Sequence, residues 1–225
     1  MSLPVNGLMT IVPVQEVFPT KRSMICRAAW IGLLAFITMA CASFPENRLP
    51  KVDGIPTQAQ VSNKPSAYLA LRFMVDFSGG EQPGVETIGP LPTLRQVVEK
   101  VATESALFRS YTFESFQAKN MDHVLQIEMT NYGSAGKAAG AGLITGLTLF
   151  LIPTAATDNY KLTAKLFDRN GQLLKTYSYD DGVTTWFGIW LLPMAGNTPQ
   201  SVVRGVWENM IRTLFRDVLN DGLLS

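Results

Sequence analysis

A charge-free run near the N-terminus most strongly limits what this chain can become. Residues 28–40 hold no charged side chain, and Lys21, Arg22 and Arg27 precede them. A membrane-spanning helix needs about 20 apolar residues, so the run is too short for one, but it has the length and charge order of an export signal. A buried core helix is the alternative interpretation. Export predicts that the folded part of the chain follows residue 40 and lies outside the cytoplasm.

The export signal is followed by small residues and a cysteine, Ala40-Cys41-Ala42. This pattern resembles the lipobox of bacterial lipoproteins, whose cysteine becomes the first residue of the mature chain and carries acyl chains. Thr38 and Met39 depart from the lipobox pattern, and an ordinary cleavage site that releases a soluble protein is the alternative. The resemblance implies lipidation of Cys41. Ala42 behind it implies sorting to the outer membrane of a Gram-negative cell, with the domain facing the periplasm.

The length of the chain and the positions of its prolines predict how it is divided into segments. A length of 225 residues suits one domain with appendages. Residues 1–40 are predicted to be an N-terminal extension and signal peptide, in which Met24 is an alternative start to Met1. Four prolines between residues 43 and 66 predict that the segment 41–66 is an extended tether behind the lipidated cysteine. The folded domain is then residues 67–225.

Hydrophobic periodicity predicts an α+β domain. Alternating apolar residues indicate strands, and apolar residues three and four apart indicate amphipathic helices. Thr93 and Thr198 are predicted to cap the two helices, and Asn170-Gly171 predicts a type I′ hairpin turn. The fold class is a small, mostly antiparallel sheet of about four or five strands covered by two amphipathic helices. The predicted strands cover residues 69–75, 110–116, 124–131, 160–168 and 172–180, and the predicted helices cover residues 94–108 and 199–219.

Two uncharged apolar insertions, residues 138–156 and 186–195, interrupt this pattern. If strands 124–131, 160–168 and 172–180 are antiparallel neighbours, both insertions leave the sheet at the same edge. Three interpretations stay open: packing within the core, contact with a membrane or a protein partner, and, for the first insertion, a spanning helix. The predicted contact residues are Leu147, Leu149, Phe150, Leu151, Trp186, Phe187, Trp190 and Leu191.

The sequence holds few residues suited to chemistry. His123 is the only histidine of the sequence. Of the two cysteines, Cys26 lies in the predicted signal and Cys41 is the predicted lipidation site. A metal site or a Cys/His pair needs more such residues, so no catalytic residue, metal site or cofactor is predicted. A net charge of +1 gives no basic surface for nucleic acid.

The layout as a whole resembles outer-membrane lipoproteins of uncharacterised function with a small periplasmic α+β domain. We therefore expect a non-enzymatic, lipid-anchored accessory or assembly component of the cell envelope. Its expected contacts are the membrane, through the N-terminal lipid, and an envelope protein or further copies of itself. The alternative is a periplasmic ligand-binding protein or hydrolase with a pocket lined by the apolar loops. A cluster of buried carboxylates beside the loops would favour the alternative, and an exposed apolar ridge would favour the first interpretation.

Overall fold

Alternation of apolar and polar residues produces the central strands of the sheet. Strands β5 (His123–Tyr132), β6 (Thr154–Asp168) and β7 (Leu173–Phe187) are consecutive antiparallel neighbours. The computed structural model describes residues 41–54, 64–78, 84–133, 143–144, 147–148, 151–194 and 196–224, all of them within one compact unit, Met39–Ser225. The predicted signal and two predicted contact residues, Leu149 and Phe150, lie outside the described residues.

The sheet is larger than predicted, and the expectation of four or five mostly antiparallel strands is wrong. Seven strands form one mixed sheet in the order β1-β7-β6-β5-β2-β3, with β4 also paired to β2. Strand β2 runs parallel to both β4 and β5, whereas the other pairs are antiparallel. The remaining strands are β1 (Cys41–Pro45), β2 (Ser66–Asp76), β3 (Val85–Glu86) and β4 (Ser110–Thr112).

The two strands that the sequence did not predict are short edge strands. β1 has five residues and β3 has two, so neither is long enough to show an apolar alternation. Each gains its strand conformation by pairing with a longer neighbour, β1 with β7 and β3 with β2. Their existence therefore depends on tertiary contacts that local sequence does not reveal.

Two helices, α1 (Leu91–Ser105) and α2 (Pro199–Asn220), cover one face of the sheet. As predicted, Thr198 caps α2: its hydroxyl accepts a hydrogen bond from the amide of Ser201. The predicted capping box at Thr93 is wrong, because α1 already begins at Leu91. Large buried side chains from both helices and the sheet form one core; among them are Leu69, Phe73, Leu125, Met129, Leu162, Leu166, Met210 and Phe215.

The hairpin between β6 and β7 forms where predicted but with a different turn. Gly171 has a positive φ of 80°, whereas Asn170 does not adopt positive φ, so the turn is not type I′. The carboxylate of Asp168 instead accepts hydrogen bonds from the amides of Asn170 and Gln172. A single left-handed residue is sufficient in this wider loop, and glycine occupies it.

The structure differs from the predicted tether over residues 41–54. Strand β1 pairs along its whole length with β7, and the chain after it packs on α2. The amide of Val52 donates to the side chain of Asn209 at 2.8 Å, and Val52 is buried. The prolines of this segment lie at a sheet edge and in irregular backbone, where the missing N–H costs little. Cys41 is therefore attached to the sheet directly.

Asp122 is expected to make the stability of the fold depend on pH in the acid range. Hydrogen bonds from the Ser66 amide and hydroxyl, and the nearby Arg169 and Arg109 guanidinium groups, lower the pKa of Asp122. A lowered folded-state pKa stabilises the fold above the unfolded-state value of about 4, and this contribution is lost as the pH falls through the folded-state pKa. Urea unfolding of Asp122→Asn and the parent should differ in free energy at pH 6, and the difference should shrink as the pH falls below the unfolded-state value of about 4.

Candidate functional site

Three strands form an arm that extends beyond the rest of the sheet. The last residue of β5, Tyr132, pairs with Asn159, so the first five residues of β6 continue past it. Residues 154–158 pair with residues 183–187 of β7, which pair in turn with β1. At about 3.3 Å per residue, this arm projects roughly 16 Å.

The end of the arm brings the predicted lipidation site and both apolar insertions together. Cys41 is paired with Phe187, and Phe187 is paired on its other side with Thr154. The chain enters the arm at Thr154 from the first insertion and leaves it at Phe187 into the second. The expectation that both insertions emerge at one edge is therefore met by the strand order.

The insertions themselves are partly strand. The second was predicted as a loop from residue 186, but β7 continues to Phe187, and a 3-10 helix, Ile189–Met194, follows. In the first, residues 154–156 already belong to β6. Within the described part of the chain, no helix combines the length and the apolar character that a membrane crossing requires.

Hydrogen bonds join the two insertions and fasten them to the arm. The indole N–H of Trp190 donates to the carbonyl of Leu151 at 3.2 Å. The amide of Leu151 donates to the carbonyl of Thr148, and that of Thr148 to the carbonyl of Ile144. On the other side, the amide of Ser43 donates to the carbonyl of Asn197, three residues after the 3-10 helix. The Trp190–Leu151 bond thus joins the described parts of the two insertions, and the Ser43–Asn197 bond joins the chain after the second insertion to β1.

The two insertions present large apolar side chains to solvent, and we call these exposed side chains together the apolar tip. Trp190 is 70% exposed and Leu147 is 76% exposed. Of the predicted contact residues, Leu147, Leu151, Trp186 and Trp190 belong to this set, whereas Phe187 and Leu191 are only half-exposed. The apolar tip consists of Leu143, Ile144, Leu147, Leu151, Ile152, Trp186, Trp190 and Met194.

Sequence reasoning missed a polar cluster at the base of the arm. The guanidinium group of Arg48 donates to the side chains of Glu46 and Asn159, and the backbone amide of Arg48 donates to the carboxylate of Asp181. Glu46 also accepts a short hydrogen bond from the Thr184 hydroxyl, which is the main reason that the pKa of Glu46 is lowered. These contacts fasten the chain after β1 to β7. Because Asn159, Asp181 and Thr184 are more than 100 residues from Arg48 and Glu46 in sequence, no local pattern indicates these contacts.

A glycine leaves room for this cluster. A Cβ atom on Gly182 would lie 3.1 Å from both the Arg48 Nη2 atom and the Glu46 Cγ atom. The Asp181 carboxylate, which is 2% exposed, also accepts from the Gly182 amide at 2.8 Å, and Asp180 accepts from the Tyr132 hydroxyl at 2.9 Å. The Asp180 and Asp181 carboxylates are thus held by hydrogen bonds that serve the fold. Among the described residues, no group of three or more His, Cys, Asp or Glu side chains is placed to hold a metal ion.

Comparisons with known proteins reveal only distant likeness. Neither a protein-family model nor a curated protein sequence matches the chain. Two solved structures of PelC dodecamers from Paraburkholderia phytofirmans share 10% identity with it, one of them a single-substitution variant. They cover 74% and 78% of this chain and 97% and 98% of their own, with TM-scores of 0.31 and 0.32. A likeness at this level carries no argument about fold or function here.

Proposed function

We propose that this chain is a lipid-anchored, non-enzymatic accessory or assembly component of a Gram-negative cell envelope, and that it works through its apolar tip. The observation that carries the proposal is the position of Cys41. This residue, which the lipobox resemblance marks for acylation, begins β1 and pairs with Phe187 at the end of the arm. Acyl chains on Cys41 would therefore leave the protein beside the apolar tip.

The exposure of the apolar tip supports a contact role. Monomeric soluble proteins rarely expose contiguous apolar patches of more than a few hundred Å², and larger ones mark contact with proteins or membranes. Leu147 and Trp190 expose most of their surface to solvent. At the base of the arm, Glu46, Asp180 and Asp181 accept hydrogen bonds from neighbouring groups and so contribute to the fold.

Acylation of Cys41 is tested by feeding labelled palmitate to Gram-negative cells that express the full chain. The parent should take up label and should fractionate with the outer membrane. Cys41→Ala should take up none, because no other residue occupies the lipobox position. Cys26→Ala is the matched control, since it removes the other cysteine of the sequence and leaves the lipobox intact.

The results separate the proposal from its alternatives. Label on both the parent and Cys26→Ala, but not on Cys41→Ala, supports a lipid anchor at Cys41. An unlabelled parent whose mature N-terminus begins after an ordinary cleavage site, and which is recovered in the soluble periplasmic fraction, would contradict it.

A further inference from the structure

We infer that the apolar tip enters the lipid leaflet that holds the Cys41 acyl chains, so that the domain stands on the membrane with its arm close to the membrane normal. This inference rests on the proposed function and names the partner of the apolar tip as a bilayer surface. It also assigns the base of the arm, with Arg48, to the water side of the headgroups.

The first reason is that no flexible segment separates Cys41 from strand β1. Cys41 is the first residue of the strand, and its Cα partner is Phe187, which is itself opposite Thr154. An acylated Cys41 cannot bring its chains into a leaflet without bringing the ends of β6 and β7 to the leaflet surface. A mobile tether would have allowed the domain to move away, but residues 41–45 are paired along their whole length.

The distribution of charge along the arm is the second reason. The strand segments 41–45, 154–157 and 182–187 contain no charged residue, and neither does the 3-10 helix 189–194. The first charges, Glu46 and Asp158, lie four or five residues from the end, which corresponds to about 13–16 Å of strand. Apolar elements at a membrane interface are buried to about 5–10 Å, so the arm can enter without desolvating a charge.

The kind of residues exposed is the third reason. Trp186 and Trp190 belong to the apolar tip, and tryptophan is enriched at membrane interfaces because its ring is apolar while its N–H needs a hydrogen-bond partner. The N–H of Trp190 is already bonded to the Leu151 carbonyl, so the ring can be buried at little polar cost. The aliphatic side chains around it supply the apolar area that lipid contact requires.

The test uses the mature chain carrying Cys41→Ala, exported behind an ordinary cleavable signal so that no lipid contributes to binding. The probe is a neutral phosphatidylcholine vesicle, which excludes charge attraction, with bromine on the acyl chains to quench nearby tryptophan. We expect the protein to float with vesicles in high salt and its emission to be partly quenched. Trp190→Phe should reduce the quenched signal to the part that Trp186 contributes. Trp207 is 4% exposed between Phe73 and Tyr160, and should stay unquenched as an internal control.

A matched pair of substitutions locates the binding surface. Leu147 and Phe116 are both 76% exposed, but Phe116 lies in a 3-10 helix beside the start of β5, at the other end of the sheet. Leu147→Asp should lower vesicle partitioning at least about tenfold, because a carboxylate would have to enter the lipid where the leucine side chain does in the parent. Phe116→Asp should leave partitioning unchanged. Both positions are exposed, and the circular dichroism of both variants should match that of the parent.

Each result has a distinct meaning. If Cys41 takes up palmitate in cells but the Cys41→Ala protein ignores vesicles, the inference is overturned and the lipid anchor stands. If the Cys41→Ala protein binds vesicles while the parent takes up no palmitate, contact between the apolar tip and lipid is supported and the lipid anchor fails. If the Cys41→Ala protein forms dimers that Leu147→Asp dissolves, and does not bind vesicles, a second copy occupies the apolar tip and the inference is overturned.

Discussion

Phe215→Ala should lower the free energy of unfolding by about 3–5 kcal/mol, as is typical of a large aromatic residue removed from a core. Phe215 lies on α2, is 0% exposed and meets Phe108 edge to face with the ring centroids 5.9 Å apart. Truncation loses the transfer free energy of the ring and leaves a cavity that the surrounding strands and helices can close only in part. Urea unfolding followed by far-UV circular dichroism measures the change.

The control for this prediction is a phenylalanine that the fold does not bury. Phe116→Ala removes the same atoms from a side chain that is mostly exposed, and should change the free energy of unfolding by no more than about 0.5 kcal/mol. If the two substitutions destabilised the chain equally, the packing of α2 on the sheet would not be the one described here.

Asp181→Ala should destabilise the fold by about 2–3 kcal/mol and should loosen the attachment of β1. The Asp181 carboxylate is buried, and its Oδ1 atom accepts from the backbone amides of Arg48 and Gly182. Hydrogen bonds to a charged group contribute about 1.5–3 kcal/mol, and alanine would leave both amides without their acceptor. Urea unfolding measures the loss, and hydrogen exchange at residues 41–48 should become faster than in the parent.

A second substitution of Asp181 separates the effect of its hydrogen bonds from that of its charge, and an exposed aspartate serves as a control. Asp181→Asn keeps an oxygen at the position that accepts both amides, and we expect it to lose less than half as much stability as Asp181→Ala. Asp53→Ala removes an exposed carboxylate whose ion pair with Lys51 is at the surface, and should leave the free energy of unfolding close to that of the parent. An Asp181→Asn variant as unstable as Asp181→Ala would show that the charge, and not the acceptor, holds the base of the arm.

The arm gives the predicted lipid anchor a structural consequence. A lipoprotein on a long linker can turn in any direction, whereas a strand that starts at the acylated residue fixes the sheet relative to the leaflet. With the apolar tip in lipid, the surface that carries Phe116 and the hairpin turn at Gly171 would face away from the membrane. The face of the sheet opposite α1 and α2 would then be accessible to other envelope components.

Local sequence determined the long elements of this protein. Leu125, Ile127 and Met129 alternate with polar residues, and the strand they predict is present. The apolar residues along one side of α2 could also be predicted, because a helix that packs on a sheet buries every third or fourth residue. Its cap at Thr198 could be predicted because the first amides of a helix need an acceptor close in sequence. Antiparallel pairing of β5, β6 and β7 followed from strand order, and this placed both apolar insertions at one edge.

Only the tertiary structure decided what happens to Cys41 and its neighbours. The segment behind it is proline-rich and too short for a periodic pattern, so its sequence predicts a tether. In the fold, β6 pairs with one edge of β7, and β1 pairs with part of the other edge. The contacts that hold it there join Arg48 to Asn159 and Asp181, over more than 100 residues. The backbone amides and carbonyls at the edge of a strand can pair with any segment that the fold places beside them, whatever the side chains of that segment. For this reason the sequence alone could mark the cysteine for lipidation but could not place it at the end of the arm, beside the apolar tip.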